Sequence, residues 1–186
     1  MMKRKIAMPT WLVAYLERLE WSIVRRLAQM SVPFLRISMG IVFVWFGALK
    51  LFPGLSPAQD LALSTIDVLT LGLMPAWLSL VLLALLEVAI GVGFLTGRYM
   101  RLTLLLLVFQ MAGALSPLVL FPTEVFTAGF YAPTLEGQYI IKNLVLIGAA
   151  LVIGATLRGG RIVADPQVLH DAQSAPEYKS AEPFSA

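Results

Sequence analysis

Residues 76–97 read AWLSLVLLALLEVAIGVGFLTG, a run with a single ionisable side chain, Glu87, near its middle. A helix needs about 20 mostly apolar residues to cross a hydrocarbon core ~30 Å thick, and this run supplies them. Three further runs of the same kind occupy residues 32–52, 102–121 and 139–157. Four closely spaced spans in one short chain predict an all-α integral membrane protein, an antiparallel bundle of four transmembrane helices. A carboxylate held at mid-depth is costly, which makes Glu87 the first residue to ask about function.

Working outward, the bulk composition agrees. Of the 186 residues 59% are hydrophobic and 13% charged, against ~25% charged in soluble domains. The placement of the charges says more than the net value of +3. Twelve of the 14 Lys and Arg lie on one side of the spans: Lys3, Arg4, Lys5, Arg18, Arg25, Arg26 and Arg36 up to the near end of the first, Arg98 and Arg101 between the second and third, and Arg158, Arg161 and Lys179 after the fourth. Only Lys50 and Lys142 belong to the other side. The positive-inside rule therefore puts both termini in the cytoplasm, and an even number of spans requires them to share a side. There is no cysteine, which excludes disulfides, CxxC relays and thiolate metal sites. The one histidine, His170, lies beyond the last span, so neither haem nor a zinc or iron site is expected. No phosphate-binding or hydrolase motif appears, and nothing points to nucleic acid.

The chain divides into three parts. Residues 1–31 form a basic arm in which Leu12, Leu16, Leu19, Ile23, Leu27 and Met30 recur at close to helical spacing, with Trp11 and Trp21 as anchors. This predicts an amphipathic helix lying on the membrane interface; the pattern lacks the uninterrupted core and cleavage site of a signal peptide. Residues 32–157 are the four-helix domain, and the polar residues 158–186 are expected to be disordered. Between the first two spans, Leu61, Thr65, Ile66 and Leu69 predict a short helix at the outer interface. The turn TGRYMR makes the second and third spans antiparallel neighbours. The outer loop FPTEVFTAGFYAPTLEG, aromatic and proline-rich, reads as a lid over the bundle. Gly40, Gly47, Gly91, Gly93, Ala112, Ser116, Ala150 and Gly154 mark faces where helices can approach closely.

Depth follows from the ~1.5 Å rise per residue. Glu87 lies about 15 Å below the outer end of its span, and Gln110 at nearly the same level on the next, so the two can meet across the hairpin. Lys50, Lys142 and Asn143 sit just inside the outer ends of the first and fourth spans. Together the five predict a polar pocket opening outward, with Glu87 as proton carrier and Lys50, Gln110, Lys142 and Asn143 as ligand-binding groups. The structural alternative makes Glu87 a protonated carboxyl bonded to Gln110, the lysines interface anchors and Asn143 a packing hydrogen bond. A Lys50–Glu87 salt bridge would span ~12 Å of depth between backbones, and it is not expected.

At these residues the chain resembles DoxX-type proteins, small four-helix proteins of the bacterial inner membrane. The resemblance rests on GIVFVWFGALKLF (residues 40–52), LLEVAIGVGFLTG (85–97) and EGQYIIKNLVLIGAAL (136–151), and covers Arg36 to Leu157. Its motifs are loose: a Lys ending span one, an acid in span two, a Lys with Asn or Asp in span four. They mark Lys50, Glu87, Lys142 and Asn143; several relatives have Asp at the last position, and the Asn here weakens a proton relay through it. Relatives include the membrane subunit of thiosulfate:quinone oxidoreductase and proteins linked to oxidative-stress resistance through soluble redox enzymes. The resemblance implies a quinone-interacting subunit, not autonomous, whose electrons come from a soluble partner on the cytoplasmic face. The alternatives are a non-catalytic scaffold recruiting such a partner or anionic lipid, and a small transporter, which four spans with so few polar groups would support only as a homo-oligomer.

Overall fold

The computed structural model describes residues 10–160 except 53, 57, 128 and 130, and leaves out the side chains of residues 10, 13, 14, 17 and 21. The basic residues 3–5, most of the polar tail and His170 lie outside the described residues. Seven helices follow in order among those described: α1 Thr10–Leu49, α2 Gln59–Leu69, α3 Ala76–Thr96, α4 Met100–Leu115, α5 Pro117–Leu120, α6 Pro122–Val125 and α7 Leu135–Thr156. Four segments are long and apolar enough to cross a bilayer: α1 from Arg18, α3, α4 continued through α5, and α7. The expected four-span bundle is present.

These four run up, down, up and down, with α1 packed on α3, α3 on α4, α4 on α7, and α7 back on α1. One end of the bundle carries the start of α1, the α3–α4 turn and the end of α7; the other carries α2, α5, α6 and their loops. Met39, Phe43, Ile90, Phe94, Leu107, Met111 and Ile153 fill the centre, and the rings of Phe43 and Phe94 lie 6.4 Å apart. A second, smaller core at the loop end joins Leu61 of α2, Val125 of α6 and Ile140 of α7.

The arm and the first span form a single element. The expected interfacial helix is not separated from the membrane helix: α1 continues without a break from Thr10 to Leu49, through Pro33. The apolar residues before Pro33 and those after it share one helical register, and the chain between them holds no glycine to interrupt it. From Thr10 to Ser31 it extends about 33 Å before its first core contacts at Val32 and Leu35, with Leu19, Ile23, Leu27 and Met30 exposed. The fourth span also begins four residues earlier than expected, at Leu135, because Thr134 caps it: its Oγ1 accepts from Gly137 N at 3.0 Å.

The tightest seam joins α1 and α3. A Cβ on Gly40 would stand 2.7 Å from Leu95 Cγ, one on Gly91 2.6 Å from Val44 N, and one on Gly47 2.9 Å from Glu87 Cβ. With no hydrophobic driving force between helices in lipid, such backbone approach gains dispersion that larger residues would forbid. The α3–α4 hairpin uses the same device, Gly93 making room for Thr103. Ala112, by contrast, is exposed and contributes no such seam.

The outer loop is built as part of the bundle. Val125 is fully buried, and its carbonyl accepts from Thr134 N at 2.9 Å. Phe126 and Pro133 form an isolated antiparallel bridge across the loop.

Candidate functional site

The Gly47 contact sets the geometry of the polar site. Because Gly47 lies against Glu87 and Val88, α1 and α3 share a level there, and Lys50 is one turn above it. α1 stops at Leu49 while α3 rises from Glu87 to Ala76, so α3 extends about 13 Å past the end of α1. Lys50 therefore does not sit at the same outer level as the start of α3, as span ends taken to be flush would require. Its Nζ is 2.6 Å from Glu87 Oε2, an ion pair that the sequence-based depths argued against. The staggered ends are the physical reason for the correction.

Glu87 is satisfied from both sides. Gln110 Nε2 donates to Oε1 at 2.7 Å, the contact expected across the α3–α4 hairpin. Lys50 Nζ also donates to Phe46 O at 3.4 Å. Glu87 and Gln110 are 7% and 8% exposed, so both heads are withdrawn from any solvent. A carboxylate accepts only, so Gln110 must turn its amino group toward Glu87 and its carbonyl away. Gln110 Oε1 is then left buried with no hydrogen-bond partner among the described residues. A buried acceptor without a donor is uncommon and asks for one.

The other two expected members stand apart. Lys142 is exposed and lies over the ring of Tyr139, its own helix neighbour, at 5.6 Å from the centroid. Asn143 is half-buried and makes no hydrogen bond to Lys50, Glu87 or Gln110. The inward face of α7 carries Ile140, Ala150 and Ile153; Lys142, two residues from Ile140, is turned to nearly the opposite side. The expected five-residue pocket is thus a three-residue cluster. Gly47, three residues before Lys50, is the one signal for this contact that the sequence holds.

Among the described residues no group of three or more His, Cys, Asp or Glu could hold a metal ion. The single ion pair found among them is Lys50–Glu87, and breaking such a pair is far costlier than its net value.

No curated protein and no solved structure matches this chain. A sequence model of the DoxX family matches residues 31–122, which hold α1 from Ser31, α2, α3, α4 and α5, and with them Lys50, Glu87 and Gln110. With four membrane-spanning helices around that match, the chain is a DoxX-like membrane protein.

Proposed function

We propose that this protein is the quinone-interacting membrane subunit of a redox or oxidative-stress-protection complex in the bacterial inner membrane, with both termini cytoplasmic. The observation that carries this is the Lys50–Glu87–Gln110 cluster, whose buried Gln110 Oε1 lacks a donor. A quinone accepts hydrogen bonds at its carbonyls, and its reduced form donates them from hydroxyls; bound here, it would supply two-electron, two-proton chemistry. The residues fit such a head group. Lys50 has a donor to offer a carbonyl, Gln110 Oε1 can receive a hydroxyl, and Glu87 can hold or release a proton between them. Electrons would come from a soluble partner. Support also comes from the cost of the cluster, since ionisable groups within spans are carried where function needs them.

The test is the quinone content per copy of protein extracted from native membranes without detergent, for wild type, Glu87→Gln and Gln110→Leu. Near-stoichiometric quinone in wild type that falls in both variants, at unchanged protein level, is the expected result. Membrane-background quinone in wild type would reject the proposal.

A second reading, a scaffold that recruits a soluble partner, is favoured by α1. Its first 22 residues, Thr10 to Ser31, run clear of the bundle core with exposed apolar and basic side chains. Deleting residues 1–30 should then abolish partner capture while Glu87→Gln leaves it intact.

A further inference from the structure

At the opposite end of the bundle, four arginines gather around the α3–α4 turn. Gly97 closes α3 in the left-handed region, at φ 68°. A Cβ there would collide with Nη1 of Arg36, so the guanidinium of α1 lies directly on this turn. Arg36 is half-buried, yet it has no hydrogen bond or ion pair among the described residues. Arg98 follows Gly97, Arg101 lies in the first turn of α4, and Arg158 follows Leu157 at the end of α7. None of the four has a carboxylate partner: the ion pair found among the described residues is Lys50–Glu87. Glu87, the nearest acid along α3, is ten residues and about 15 Å away.

This charge borders a cleft. Gly97, Tyr99, Arg101 and Leu157 line an open depression of about 430 Å³. A second depression of about 360 Å³ shares Arg101 and Leu157 with the first and continues along α4 and α7 past Leu104, Leu105, Val108 and Gly154. The first lies at the end of the spans, where headgroups lie; Arg101 lines it, and the Arg36 guanidinium rests on Gly97 at its edge. The second is almost wholly apolar and runs toward the bilayer interior. Gly154 lines it, and there is room beside it: a Cβ there would meet only Leu104 Cδ1, at 3.4 Å.

We infer that the Arg36–Arg101 cleft and the α4–α7 groove together bind one anionic phospholipid, its phosphate on the arginines and an acyl chain along the groove. An unpaired, half-buried guanidinium recruits a phosphate through charge-assisted hydrogen bonds. Basic pockets between membrane helices are suited to such headgroups. The apolar groove beginning at Arg101 favours a lipid over free phosphate, which would have no use for it. The site lies away from the Lys50–Glu87–Gln110 cluster, so its test is independent of the proposed redox role.

The experiment is native mass spectrometry of the full chain released from mixed micelles with phosphatidylglycerol or phosphatidylcholine of identical acyl chains, and separately with inorganic phosphate. Wild type should retain one phosphatidylglycerol in preference to phosphatidylcholine. Arg101→Gln, at an exposed side chain with no hydrogen bond or ion pair found among the described residues, should weaken retention about fivefold, and adding Arg36→Gln about 25-fold in all. Gly154→Leu should weaken retention of both lipids by filling the groove. Equal retention of the two lipids by wild type, or unchanged retention in Arg101→Gln, would overturn the site. Phosphate bound as tightly as lipid, with Gly154→Leu silent, would overturn the lipid assignment.

Discussion

Lys50 and Glu87 stabilise the fold only as a pair. Lys50→Met leaves the Glu87 carboxylate, 7% exposed, with Gln110 alone, and should destabilise the protein by about 3 kcal/mol. The double variant Lys50→Met, Glu87→Gln removes both charges while keeping an acceptor for Gln110 Nε2, and should recover most of that loss, since what is costly is one buried charge without the other. Reversible unfolding in mixed micelles, followed by helix content, distinguishes the two; a double variant as unstable as Lys50→Met would contradict the pairing. Lys142→Gln is the control. Its side chain is exposed and lies over the Tyr139 ring, and the change should lie within about 0.5 kcal/mol of wild type. Glu87 and Gln110 were legible as a pair because two residues on a tight hairpin have a depth relation that counting can supply. Lys50 was not, since its level depends on where α1 slides along α3.

That sliding is set at the scale of elements, by the glycines. Gly47→Leu must place a side chain where Glu87 Cβ already stands 2.9 Å from a bare Cβ. It should push α1 from α3 and cost about 1–3 kcal/mol. The ion pair should loosen with it, so that Lys50→Met costs less in the Gly47→Leu background than alone, the coupling a double-mutant cycle measures. The continuity of α1 has its own test, made simple by a chain without cysteine. Spin labels at Leu19 and Ile41, both exposed, should lie about 33 Å apart along one straight helix. An arm folded flat on the membrane would bring them to about 24 Å, given the same rise on either side of a right-angle bend. The 3.6-residue periodicity was visible throughout the arm and the first span. It specifies a helix on each side of Pro33, and cannot say whether the axis turns there.

For the whole molecule, the charge asymmetry predicts which end of the bundle faces the cytoplasm. Tyr99, in the turn between α3 and α4, and Leu71, just past α2, are 82% and 85% exposed at opposite ends. A membrane-impermeant thiol reagent applied to spheroplasts should label Leu71→Cys and spare Tyr99→Cys; inverted vesicles should reverse the pattern. The opposite result would overturn the orientation that the distribution of Lys and Arg implies.

What the sequence determined by itself is the number of spans, their order and the hairpin between the second and third. Hydrocarbon thickness converts directly into residues per helix, and short turns leave one choice of neighbour. Tertiary structure alone decided which of the other polar groups join the Glu87–Gln110 pair. Helix ends need not be flush, and a glycine contact that moves one helix along another by two turns brings Lys50 to Glu87. A rotation of two residues about its own axis takes Lys142 out of the site. Such offsets arise from packing between helices distant in sequence, and local periodicity carries no record of them.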